Sequence, residues 1–178
     1  AVMHVLALDI SRNAMGVCWG DAGSVPRFQT IPLGKDMETR DETCGRLLEW
    51  IVTWVNFPDQ RPDWVFMEAP LDGGPTAMRN PTTTMLLTSL ADVAAAACKV
   101  GRIPYRFVRV NSVRAHFIGK GNLPGDEGKR LVKQRCLQLG WEPKNYDESD
   151  AGAVWDYGCQ KMAPRSQGVL DLQRARAL

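Results

Sequence analysis

Residues 5–11 read VLALDIS, an almost unbroken apolar run with one carboxylate, Asp9, set inside it. Such a run suits a central strand buried on both faces of a sheet. A lone ionised carboxylate buried there costs several kcal/mol unless something compensates. A metal ion, an arginine partner or a strand end that meets solvent would each do so. Ser11-Arg12-Asn13 closes the strand just after Asp9 and is consistent with the last.

The following segments build a mixed sheet around that strand. Residues 15–19 and 27–31 read as two more strands, with Asp21-Ala22-Gly23-Ser24 as the turn between them, so the first three strands form an antiparallel meander. Thr39 and Glu42 have capping-box spacing, and Leu47, Leu48, Ile51, Trp54 and Val55 recur at helical intervals. Residues 64–69 (WVFMEA) form a short apolar strand, and Asn80 caps a long helix with Pro81 at its first position. A strand at residues 105–110 follows. Gly119, Gly121 and Gly125 mark a connection, a helix spans about residues 126–139 and stops at Gly140, and a last helix runs from Asp147 to about Met162. Three antiparallel strands followed by strand–helix–strand crossovers imply an α/β fold with helices on both faces.

Glu68 repeats the anomaly of Asp9. It follows Val65, Phe66 and Met67 at the end of an apolar strand. Ligand sites in open sheets gather at the carboxyl ends of parallel strands, so parallel neighbours would bring Asp9 and Glu68 to one spot. Asp147 and Asp150 lie at i, i+3 on a helix start and therefore share a face. Helix-start acids also serve as caps and dipole partners, which is the plain alternative for this pair. Ala151, Gly152 and Ala153 would let their helix pack closely on the sheet. Together the four acids form an oxygen-ligand set suited to Mg²⁺ or Mn²⁺, and a pair of such ions supports in-line displacement at phosphorus.

Charge and composition narrow the partners. From Lys99 to Lys144 there are eleven Lys and Arg against three acids, while Asp36 to Asp72 holds nine acids against three basic residues. That asymmetry points to a polyanion-binding face, with a solvated surface as the alternative. The five cysteines form no CxxC pair and the two histidines complete no zinc pattern, so buried reduced thiols are expected. No uninterrupted apolar run of about 18 residues and no leader pattern is visible.

The segments LALDIS, VFMEAP and DESDAGAVWDYG together resemble the RuvC group of Holliday-junction resolvases, in the RNase H-like superfamily, and most of all its compact phage and bacterial members. The resemblance runs from about Val5 to Met162. It implies an RNase H-like mixed five-stranded sheet, in which three antiparallel strands are followed by two parallel ones. It implies a nuclease domain over residues 1–163 with a loosely held tail over 164–178. Asp9 matches the first-strand Asp, Glu68 the fourth-strand Glu, and Asp147 and Asp150 the closing acidic pair, with Glu148 as the alternative to Asp147. Gly119-Lys120-Gly121-Asn122 resembles a Gly-basic-Gly turn, and Lys129 the lysine of the helix that follows.

By that resemblance Asp9, Glu68, Asp147 and Asp150 would hold two Mg²⁺ ions, replaceable by Mn²⁺, and Lys129 would join them in catalysis. Lys120, Lys129, Arg130 and Lys133 would face the DNA backbone. A homodimer acting on four-way junctions in the cytoplasm of a bacterial or phage-infected cell is expected. Relatives often carry an aromatic wedge after Glu68; here Leu71 or Met78 would have to intrude instead. The other readings are a non-catalytic junction-binding adaptor on the same fold, an RNA-processing nuclease of the superfamily, and a nucleotide-binding fragment of the actin-like kinases.

Overall fold

The computed structural model describes residues 2–70 and 80–162. Residues 164–178, and Leu71 and Met78, lie outside the described residues. The chain builds β1 (His4–Ile10), β2 (Ala14–Asp21), β3 (Arg27–Pro32), α1 (Arg40–Asn56), a short 3-10 turn (Pro58–Gln60) and β4 (Trp64–Glu68). It continues with α2 (Pro81–Val100), β5 (Tyr105–Val108), α3 (Val110–Ile118), α4 (Gly125–Gln138) and α5 (Tyr146–Met162).

The five strands form one sheet in the order β3-β2-β1-β4-β5. β1 pairs antiparallel with β2 and parallel with β4, β2 pairs antiparallel with β3, and β4 runs parallel to β5. This is the expected mixed sheet. β1 lies at its centre, which explains why residues 5–8 are buried and apolar on both faces.

Alternation along the strands sorts the core into two layers. Leu6, Leu8, Val65 and Met67 point into one cluster with Leu47 and Ile51 of α1 and Leu90 and Ala94 of α2. Val5, Ala7 and Phe66 point into the other with Val113 of α3, Val132 and Cys136 of α4, and Trp155 of α5. The expected capping box of α1 is present, with Thr39 N donating to Glu42 at 2.7 Å. Asn80 caps α2 by accepting from Thr83 N at 3.1 Å. Gly140 takes φ +75 after α4, the left-handed stop expected for a glycine there. Among the described residues α2 is the one helix long and apolar enough to cross a membrane by length and composition. Its Leu90, Ala91, Ala94, Ala97 and Cys98 are buried. All five cysteines are free and four of them, Cys18, Cys98, Cys136 and Cys159, are buried.

Helix α3 is absent from the sequence reading. It covers a stretch that reads as strand end and connection, because Arg114 interrupts the short apolar pattern made by Val113 and Phe117.

Candidate functional site

Strand parity places the first two acids. Asp9 continues the face of Val5 and Ala7, and Glu68 continues the face of Phe66, so both carboxylates project toward the layer that contains α5. Leu8 pairs with Met67 in the parallel β1–β4 ladder, which puts Asp9 and Glu68 one step further along neighbouring strands. Both stand at the carboxyl edge of the sheet.

Helix α5 delivers the second pair, and small residues let it come close. A Cβ at Gly16, the residue directly opposite Asp9 in the β1–β2 register, would lie 1.9 Å from the Asp147 carbonyl oxygen. A Cβ at Gly152 would meet Phe28 at 2.9 Å, and one at Gly158 would meet Phe66 at 2.5 Å. The expected close packing of the small-residue helix is therefore present.

The four acids act on one another. Burial raises the Asp9 carboxyl well above the ordinary carboxylate range, and the charges of Glu68, Asp150 and Asp147 raise it further, against Lys129. Burial and the Asp150 charge raise Glu68 to about 7, against Arg114 and Lys129. Burial raises Asp150 to about 6, with Lys129 and Arg114 opposing and Asp147 adding to the rise. Lys129 Nζ stands 4.0 Å from Asp150 Oδ2.

Among the described residues no group of three or more His, Cys, Asp or Glu side chains is drawn together tightly enough to hold an ion as it stands. Desolvated like charges repel, and a cation is what would draw them in. The donors fit Mg²⁺ or Mn²⁺ in kind: they are all carboxylate oxygens, with two desolvated strand-end acids and two more from α5.

Glu148 does not join them. It is buried, and its carboxylate accepts from Thr30 Oγ1 at 2.8 Å and from Lys144 N at 2.7 Å. Its own backbone N donates to Asn145 Oδ1 at 2.9 Å, and Asn145 Nδ2 donates to Thr30 Oγ1 at 2.7 Å. Glu148 thus ties the start of α5 to β3, while the Asp147 charge acts on Asp9 and Asp150.

Of the basic candidates, only Lys129 is among the charges that shift the acids. Lys133 is half-buried on the same helix, one turn on, whereas Arg130 and Lys120 are exposed. Lys120 lines a cavity of about 530 Å³ between α3 and α4, with His116, Leu131 and Arg135.

Sequence reasoning missed Arg114. It is 8% exposed on α3 and its charge acts on both Glu68 and Asp150. Its guanidinium occupies the notch left by Gly128, where a Cβ would lie 2.5 Å from the guanidinium carbon. The available signal was an arginine on the helical stripe of Val110 and Phe117, at i+4 and i−3 from them.

No family's sequence model matches the chain. No curated protein matches it either. Solved structures do match by shape. The Thermus thermophilus RuvC structure superposes with a TM-score of 0.66 at 16% identity, covering 89% of this chain and 95% of that one. T. thermophilus RuvC in complex with Holliday junction substrate gives 0.68 at 17% identity, over 92% and 95% of the two chains. Ydc2, the yeast mitochondrial Holliday junction resolvase, gives 0.57 at 12% identity, over 97% and 82%. The sheet order, the helices on both faces and these superpositions together show that the chain has the RNase H-like fold of the RuvC structures.

Proposed function

We propose that this protein is a divalent-cation-dependent endonuclease that hydrolyses phosphodiester bonds of branched DNA, as a Holliday-junction resolvase does. The observation that carries the reading is the placement of Asp9 and Glu68 side by side at the carboxyl edge of the sheet, with the first turn of α5 packed onto Gly16 opposite Asp9 and Lys129 4.0 Å from Asp150. The shape match to a RuvC bound to Holliday junction substrate supports the choice of substrate.

Asp9, Glu68, Asp147 and Asp150 would hold the cations. Bound there, Mg²⁺ or Mn²⁺ supplies Lewis-acid charge to a phosphate and eases the ionisation of water. The protein's own part is to keep Asp9, Glu68 and Asp150 in a partly dry edge, where a bound cation would favour their ionised form. Lys129, whose side chain is 42% exposed, faces solvent beside Asp150 and is placed to meet a phosphate oxygen. Arg114 supplies fixed positive charge from beneath. Lys120, Arg130 and Lys133 extend the basic surface along α4 and the turn before it and contact the DNA backbone. Residues 1–163 form the nuclease domain, and two copies supply the two nicks that resolution of a junction needs.

The test is incubation of labelled four-way junctions, flaps, duplex and structured RNA with the protein in Mg²⁺ and in Mn²⁺, alongside Asp9→Asn. Junction cleavage that needs the cation and Asp9 is the expected result. Absence of cleavage, or full cleavage by Asp9→Asn, overturns the reading. Junction binding without hydrolysis would instead make the protein an adaptor, and cleavage of RNA alone an RNA-processing nuclease.

A further inference from the structure

Two of the contacts between helices α4 and α5 lie one helical turn apart at their polar rim. Lys129 on α4 faces Asp150 on α5 at 4.0 Å. Four residues on, Lys133 Nζ stands over the ring of Tyr146 at 5.5 Å from its centroid, and Tyr146 is four residues before Asp150. Residues at i and i+4 lie on one helical face, so Tyr146 stands one turn before Asp150 on the face that meets α4.

Tyr146 is out of place as a structural residue. It is 45% exposed. Its neighbours hold it in position, however. Its carbonyl accepts from Ser149 Oγ at 3.0 Å, and the Lys133 ammonium above its ring also donates to the Lys144 carbonyl at 3.3 Å. An exposed ring, held by a lysine and set next to a phosphate-cutting centre, combines the two parts of a single-strand binding site. These are an aromatic face for a base and a cation for the backbone.

We propose that Tyr146 is a stacking platform for a nucleobase unpaired at the branch of the DNA, holding the strand whose phosphate enters the carboxylate site. The proposal rests on the nuclease reading above and adds to it the feature recognised: an unstacked base beside the scissile phosphate. Paired bases in continuous duplex do not offer that face, so Tyr146 favours branched over unbranched DNA.

The experiment holds the uncut complex with Asp9→Asn in the full chain. It measures binding to duplex and to four-way junctions carrying 2-aminopurine at successive branch positions. Adding Tyr146→Ala is expected to weaken junction binding roughly tenfold or more, the loss typical of one base–aromatic stack. It is also expected to change the emission at one branch position and to leave duplex binding as it was. Tyr146→Phe and Tyr146→Trp, which keep a ring, restore junction binding and emission.

Unchanged junction binding and emission in Tyr146→Ala overturn the proposal. So does an equal loss on duplex and junction, which would make Tyr146 only a prop for Lys133, and so does a Phe variant as weak as the Ala one. If the Asp9→Asn protein itself binds junction no better than duplex, the junction reading falls together with this one. Strong junction binding indifferent to Tyr146 removes this inference alone.

Discussion

Gly16 and Asp147 are in backbone contact across the site: the missing side chain of Gly16 on β2 admits the carbonyl of Asp147 at the first turn of α5. Gly16 is also the cross-strand partner of Asp9. One glycine therefore sets the distance between the strand-end acids and the helix acids. Gly16→Ala should force α5 off the sheet, since a Cβ there would lie 1.9 Å from a backbone oxygen. We expect a loss of about 2–3 kcal/mol in denaturant unfolding, as for an overpacked core, and loss of cation-induced stabilisation in the folded fraction. A variant with unchanged stability and cation response would disprove this account of Gly16.

The raised acids make a pH prediction whose sign is fixed. Glu68 at about 7 and Asp150 at about 6 hold protons in the folded state that the unfolded chain has released by pH 5 to 6. Stability then falls as pH rises, because the folded state binds more protons than the unfolded one. The stability these groups give is complete below about pH 4. For the cation-free protein it is lost as pH climbs through 6 to 7, within the range of the raised values. Thermal melts in EDTA should show Tm falling across that window. Asp9→Asn should flatten the fall and raise Tm at pH 7.5. Added Mg²⁺ or Mn²⁺ should stabilise the wild type more at pH 7.5 than at pH 5.5, because it binds the ionised form. A Tm that rises from pH 5 to 7 in EDTA would contradict the electrostatics of the site.

How far the site was legible depended on what each residue does to a local pattern. Asp9 and Glu68 stood out because each interrupts an apolar strand, and their shared edge followed once β1 and β4 were parallel. Asp147 and Glu148 are adjacent acids at a helix start, and no periodicity separates them. Their difference lies in Thr30 and Asn145, and Thr30 is far away in sequence. Arg114 was hidden for a related reason. A buried arginine depends on groups supplied by other elements, here Gly128, Glu68 and Asp150, so its own segment reads as strand end and connection.

Arg114 and Gly128 should be energetically coupled. Arg114→Met removes the buried positive charge that opposes the rise of Glu68 and Asp150, for an expected loss of about 1–2 kcal/mol at neutral pH. The loss should shrink at pH 5, where both acids are protonated. Gly128→Ala drives a methyl group into the guanidinium. In an Arg114→Lys background, where no planar guanidinium fills the notch, the same change should cost less. A double-mutant cycle measured by urea unfolding checks this, and strict additivity of the two changes would show that the notch does not seat Arg114.

Asp147 and Glu148 should separate cleanly on mutation. Glu148→Ala strips acceptors from the Thr30 hydroxyl and the Lys144 N–H, both of which its carboxylate now satisfies. That should cost about 2 kcal/mol, the penalty of leaving such groups unmade. Asp147→Asn removes one of the charges that repel Asp9 and should leave the cation-free fold as stable or slightly more so. The order reverses for function. Asp147→Asn should cut junction cleavage at least tenfold and weaken the Tm rise on adding Mn²⁺. Glu148→Gln, which keeps an acceptor oxygen for Thr30, should cleave near the wild-type rate wherever it is folded. Parallel melts and cleavage assays on the two variants decide the matter. A Glu148→Gln protein that is folded but inactive would move the fourth ligand from Asp147 to its neighbour.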